Sequence, residues 1–133
     1  MSQTPLRIGV VGCGNVTVKR HIPAVNRLEA ARVVAVADQV DARVAAARAV
    51  ASLPESQSFD SFSAMADACE LDYVLVAVPP SVRRAIVDDA FERGLDVLSE
   101  KPLATRLYSL HDRSERGNLF ELSQDATVHR SNV

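Results

Sequence analysis

Residues 7–16 read RIGVVGCGNV. Positions 8–11 form an apolar run without a polar interruption, the pattern of a strand covered on both faces. The run ends at Gly12, and Gly12-Cys13-Gly14 opens a helix-patterned stretch. At such a junction the first glycine permits a tight turn and the second lets a pyrophosphate approach the backbone. Thr17 stands where a third glycine or alanine usually lets helix and strand pack closely, so slightly looser packing is expected there. A Gly-x-Gly pair alone is common in turns. Its place directly after a buried strand is what points to a phosphate site, with Gly12, Gly14, Asn15 and Val16 as its candidate contacts.

Outward from that turn the same motif recurs. Apolar runs at 32–37, 73–78 and 95–98 read as further strands, with a weaker candidate around Ser58 and Phe59. Between them, 41–51, 61–69 and 81–93 are of helix length with apolar residues on one side. In the last of these Val82, Ile86, Ala90 and Phe91 carry the helical spacing, and Gly94 stands where a C-terminal cap belongs. Strands alternating with helices predict an α/β fold, a doubly wound, Rossmann-like parallel sheet, because parallel neighbours need crossover connections. Ligands of such sheets bind beyond the carboxyl ends of the strands, where Gly12, Asp38, Pro79 and Lys101 all fall.

Asp38 closes the second run at the spacing where an acidic side chain accepts the hydroxyls of an adenosine ribose. An acid there repels a 2'-phosphate, which favours NAD, while Arg43 nearby leaves NADP open. Capping of the helix that begins near Asp41 is the alternative role for Asp38. Val78 and Pro79 close the third run, and Glu100 and Lys101 follow the fourth; all four join the cofactor-binding candidates. Pro23 is expected to break or kink the helix that starts near Asn15. His21, at that break, reads as structural; Arg83 and Arg84 could reach the cofactor, but a solvated helix face is the preferred home for a charge pair.

The chain's 133 residues, 47% hydrophobic and 24% charged, describe one ordinary globular domain rather than a disordered one. A net charge of -2 with 5% aromatics and no Trp argues against nucleic acid as a partner. Cys13 and Cys69 form no CxxC or metal-ligand spacing, so reduced thiols and no metal site are expected. With neither a secretory signal nor a membrane-length apolar segment in view, the expected location is the cytoplasm.

Four blocks in order, RIGVVGCGNV with His21 and Pro23, VVAVAD ending at Asp38, DYVLVAVPPSV and GLDVLSEKPLA, resemble the N-terminal nucleotide domain of the Gfo/Idh/MocA oxidoreductases. The Glu100-Lys101-Pro102 block is the most specific of them. The resemblance implies an NAD(P)-dependent enzyme that moves hydride between the nicotinamide and a sugar, polyol or related hydroxyl or carbonyl compound. It also implies that Lys101 is catalytic, placed near the nicotinamide in contact with the substrate oxygen. An ammonium there stabilises the charge that gathers on that oxygen or shares in proton transfer. Pro102 biases Lys101 away from helical angles. Arg83 departs from the family, which often has His at that place.

The family continues into a second α/β domain that supplies the substrate pocket and much of the dimer interface. The expectation is therefore a chain truncated before its substrate domain, lacking a complete active site by itself, with homo-oligomer formation open. The alternative is a stand-alone NAD-binding module without turnover, and a CoA-binding domain is a weaker third reading. The dinucleotide domain is assigned to 1–122 and a polar, frayed tail to 123–133. Alanine is abundant up to residue 105 and occurs only at Ala126 after it, which hints at a change of origin, although Leu103, Leu107 and Leu110 keep helical spacing, Gly117 could cap that helix, and 119–122 could add a strand.

Overall fold

The structure, a computed structural model, describes residues 4–100, 119–122 and 128–130. Its strands are β1 (Leu6–Val11), β2 (Ala31–Ala37), β3 (Ser58–Phe59), β4 (Tyr73–Val76), β5 (Asp96–Glu100), β6 (Leu119–Leu122) and β7 (Val128–Arg130). They form one sheet in the order β3-β2-β1-β4-β5-β6-β7. Every pairing is parallel except that of β6 with β7. After β3 at one edge the chain returns past β1 to lay down β4 on its other side. The order therefore reverses between β1 and β4, and a crevice opens at their carboxyl ends.

The helices are α1 (Ile22–Asn26), α2 (Asp41–Ala51), α3 (Phe62–Ala68) and α4 (Pro80–Glu92). They cover both faces of the sheet. On one face Ile8, Val10, Val36 and Leu75 pack with Ile22, Val44 and Ala47. On the other, Val11, Val74 and Val76 pack with Phe62, Met65, Val87 and Phe91. Burial of each large apolar side chain contributes roughly 1.5–3 kcal/mol, so the central strands are held from both sides. Double coverage is also why their sequences run apolar without alternation. A register shift between Ile8 and Gly9 pairs Ile8 with Val33 and Gly9 with Ala35. Val34 is thus the extra residue of a bulge in β2.

Local signals explain the boundaries. Ser61 caps α3, its Oγ accepting the Ala64 N–H at 3.1 Å. Gly94, at φ +77°, ends α4 in the left-handed region, and the Leu95 N–H donates back to the Ala90 carbonyl at 2.9 Å. At the other end of the sheet, the Arg7 guanidinium grips Asp72, from Nε at 3.1 Å and Nη2 at 3.2 Å, while the Arg7 N–H donates to Asp72 at 2.7 Å. This clamp joins the start of β1 to the residue just before β4.

Three expectations need correction. Pro23 does not break its helix. A π-helical turn, Thr17–His21, precedes α1, and the backbone stays right-handed through Val16, His21 and Ile22. The widened turn is where the hydrogen-bond ladder accommodates an imide without an N–H. The inward face of α4 is Arg83, Val87, Ala90 and Phe91, whereas Val82 is 50% exposed. Both strips have helical spacing, and the helix is rolled so that Val82 and Ile86 turn toward the crevice. Finally, the stretch read as a polar tail contributes β7, which pairs Arg130 with Phe120 and Val128 with Leu122. Three residues are too few for a periodic pattern to announce a strand. The helix expected around Leu103, Leu107 and Leu110, with its Gly117 cap, lies outside the described residues.

Candidate functional site

The crevice is framed by the turns that leave β1, β2, β3 and β4. Gly12 adopts φ +95°, and a Cβ there would lie 2.4 Å from the Ala77 carbonyl oxygen. Only glycine lets the β1 turn pass this close to the end of β4. A Cβ on Gly14 would meet nothing within 4 Å, so that side of the turn is open to an approaching ligand. Val18 donates to the Gly14 carbonyl at 3.1 Å, which starts the helical segment directly behind the turn.

Thr17 does more than replace a small residue. It is buried, and its hydroxyl donates to the Gly12 carbonyl at 2.8 Å. The π-helical turn begins at the same residue. The chain thus accommodates a larger side chain at the third fingerprint position and uses its hydroxyl to hold the first.

Asp38 lies just beyond β2, and both its carboxylate oxygens accept backbone N–H groups. Oδ2 takes the Cys13 N–H at 2.8 Å and Oδ1 takes the Val40 N–H at 2.8 Å. The second is an Asx-type turn leading into α2. Cys13 is buried, its thiol donating to the Ala37 carbonyl at 3.3 Å. Burial, and then the negative charge of Asp38, push that thiol up to about 12. Cys13 is therefore a packed, protonated filler rather than a nucleophile.

A cleft of about 800 Å³ gathers these groups. Gly12, Gly14, Asp38, Val78 and Pro79 all line it, so five of the sequence candidates meet in one cavity. Asn15 and Val16 open the helical segment next to it and are exposed. Glu100 ends β5 opposite Leu122. Lys101 lies outside the described residues.

Several lining residues went unnoticed or were misplaced in the sequence. Val40, Val82 and Ile86 give the cleft apolar walls, and Asp60, Ser61 and Phe62 enter from the end of β3. Arg43 also lines it. Arg83 corrects the solvated-face expectation: it is 3% exposed, lines the cleft, and donates from Nη2 to the Val78 carbonyl at 2.8 Å. Its spacing with Val87, Ala90 and Phe91 is helical, but so is that of the Val82 strip, so the sequence held no deciding signal. Arg84 does sit on the solvated face, paired with Asp88 at 3.4 Å. His21 is buried in the π-helical turn, away from the cleft lining.

Among the described residues no group of His, Cys, Asp or Glu could hold a metal ion, and no helix is long and apolar enough to cross a membrane. The arrangement suits an elongated ligand with an anionic centre and an apolar end. The open glycine turn would take the anion, the Asp38 carboxylate would take hydroxyl donors, and Val40 and Val82 would flank a flat ring.

Residues 6–119 match the family GFO_IDH_MocA, described as an oxidoreductase family with an NAD-binding Rossmann fold. The chain is 35% identical to an inositol 2-dehydrogenase of Leifsonia xyli subsp. xyli, the match covering 100% of this chain and 36% of that protein. In three dimensions it resembles the WlbA dehydrogenase of Chromobacterium violaceum, solved with NADH and UDP-GlcNAcA. The TM-score is 0.81 at 23% identity over 92% of this chain and 36% of that one. It likewise resembles KijD10, a 3-ketoreductase of Actinomadura kijaniata solved with NADP and TDP-benzene, with TM-score 0.81 at 24% identity over 89% of this chain and 37% of the other. The chain thus spans about a third of the length of these relatives.

Proposed function

Because the chain belongs to the Gfo/Idh/MocA oxidoreductase family and carries its NAD-binding Rossmann domain, we propose that it is the cofactor-holding part of a dehydrogenase or reductase acting on a sugar, polyol or related hydroxyl or carbonyl compound. The observation that carries this reading is the convergence of Gly12, Gly14, Asp38, Val78 and Pro79 on one cleft at the point where the strand order reverses. The residues fit the dinucleotide. Gly12 and Gly14 leave room for a pyrophosphate against the backbone, Asp38 offers a carboxylate to ribose hydroxyls, and the Val40 and Val82 side chains give an adenine apolar surfaces. Asn15 and Val16 would contribute from the start of the helical segment. When bound, a nicotinamide dinucleotide supplies or accepts the hydride.

NAD is the preferred form in this reading, since the Asp38 carboxylate would repel a 2'-phosphate; Arg43 on the same cleft makes NADP the secondary ligand. Glu100, the last residue of β5, and Lys101, next in sequence, are assigned to the nicotinamide end. There Lys101 would stabilise charge on the substrate oxygen. Substrate recognition is assigned to the length of chain that the relatives have and this sequence does not cover. Free thiols at Cys13 and Cys69 fit a reducing compartment, and we assign the protein to the cytoplasm.

Calorimetric titration of the chain with NADH and with NADPH tests the assignment. Saturable 1:1 binding, with NADH tighter by about tenfold or 1.4 kcal/mol, is expected. Absence of heat with either dinucleotide would sink the reading, and tighter NADPH binding would overturn the role given to Asp38.

A further inference from the structure

Asp38, to which ribose recognition is assigned above, also makes backbone contacts that stand without any ligand. Its Oδ2 accepts the N–H of Cys13, the residue between the two glycines of the β1 turn. Three other contacts hold the same short segment. The Gly12 N–H donates to the Ala37 carbonyl at 2.9 Å, the Cys13 thiol donates to that carbonyl at 3.3 Å, and the Thr17 hydroxyl donates to the Gly12 carbonyl at 2.8 Å. Of these four fastenings only the one from Asp38 carries a charge, and Asp38 lines the cleft. Oδ1 meanwhile holds the Val40 N–H, so the same carboxylate sets the entry to α2.

We propose that Asp38 is a positioning residue for the glycine turn, coupling ribose recognition to the orientation of the backbone that would receive the pyrophosphate. This rests on the dinucleotide reading above for its ligand, and on the bond to Cys13 for its mechanism. Each carboxylate oxygen has two acceptor sites. With one site of each engaged by backbone, the others remain for two ribose hydroxyls, so the two jobs do not compete. A charge-assisted bond is roughly twice as strong as a neutral one. Its loss would leave the 12–13 peptide fastened only through its carbonyl, to the Thr17 hydroxyl, and a peptide tilted about that one remaining bond no longer presents the turn as the phosphates need it. Removing Asp38 should therefore weaken a ligand that has no ribose hydroxyls to offer.

The test is a cycle of protein and ligand changes on the full chain. Wild type, Asp38→Ala and Asp38→Asn are titrated with NADH and with its analogue lacking the 2'- and 3'-hydroxyls of the adenosine ribose. Expected is about a fivefold or greater loss of affinity for the dideoxy analogue in Asp38→Ala. Asp38→Asn should lie between, since its single amide oxygen can keep only part of the bonding. Equal affinity of wild type and Asp38→Ala for the analogue overturns the proposal and leaves ribose contact as the whole role. A second readout is independent of any ligand: hydrogen exchange of the Cys13 amide should speed up by about tenfold in Asp38→Ala relative to the amides of β1. Unchanged exchange overturns the proposal even where NADH binds. Accelerated exchange in a chain that binds no NADH would keep the positioning role and remove the dinucleotide reading, so the two failures are distinct.

Discussion

Asp38 and Cys13 show how much of the site is decided by single side chains meeting backbone. Asp38 was legible as a cleft residue because it closes an apolar run after a glycine turn. Its bond to the Cys13 N–H was not, since nothing in the order of residues says which of the turn's amides a carboxylate will find. Cys13 carries a testable consequence. Its thiol is raised to about 12 by burial and by Asp38, above the roughly 8.5 of a free cysteine. A raised folded value means that its contribution to stability is complete below about 8.5 and declines as pH climbs from there through about 12. Cys69 is only partly buried. A disulfide-exchange reagent at pH 8 should therefore modify Cys69 first, with Cys13 slower by about a hundredfold in the native chain and equal to it in denaturant. Two equally fast thiols in the native protein would contradict the packing of the turn.

At the scale of elements, periodicity located nearly everything and oriented less. The helices at 41–51, 61–69 and 81–93 and the strands around them lie within two residues of their observed limits, because caps such as Ser61 and Gly94 leave local marks. The roll of α4 was not legible, since the 82-86-90 and 83-87-90 strips fit a 3.6-residue repeat equally well. Only tertiary contact, the Arg83 tie to the Val78 carbonyl among it, picks one. The bulge at Val34 was equally hidden within an unbroken apolar run. The Arg7–Asp72 clamp belongs to this scale because it joins two elements. The Arg7 side chain and its N–H hold the Asp72 carboxyl below the usual carboxylate range. A depressed folded value contributes stability above the unfolded value of about 3.9 and loses it as pH falls through the folded one. Asp72→Asn should therefore melt lower than wild type at pH 7, with the difference closing as pH falls out of the ordinary carboxylate range and through the lower folded value. A gap that persisted unchanged into acid would show that the ion pair was not its source.

For the whole molecule, the governing feature is the reversal of strand order between β1 and β4. Alternating strands and helices made the doubly wound sheet readable in advance, while the strand order itself appears only when the pieces are assembled. Assembly is also what brings Gly12 against Ala77 and sets Val82 and Arg83 on the same cleft, although they are far from Gly12 in the chain. The antiparallel β7 had too short a sequence to be read beforehand. The chain spans about a third of the length of its relatives, and the dinucleotide binding proposed for its crevice is what needs measuring. The most direct measurement is a backbone amide NMR titration of the chain with NAD⁺. The largest shifts should fall at Gly12, Cys13, Gly14 and Asp38 and at Ala77 and Val78, and they should saturate together. Shifts that are absent, or that cluster away from the β1–β4 crevice, would contradict its assignment as the dinucleotide site.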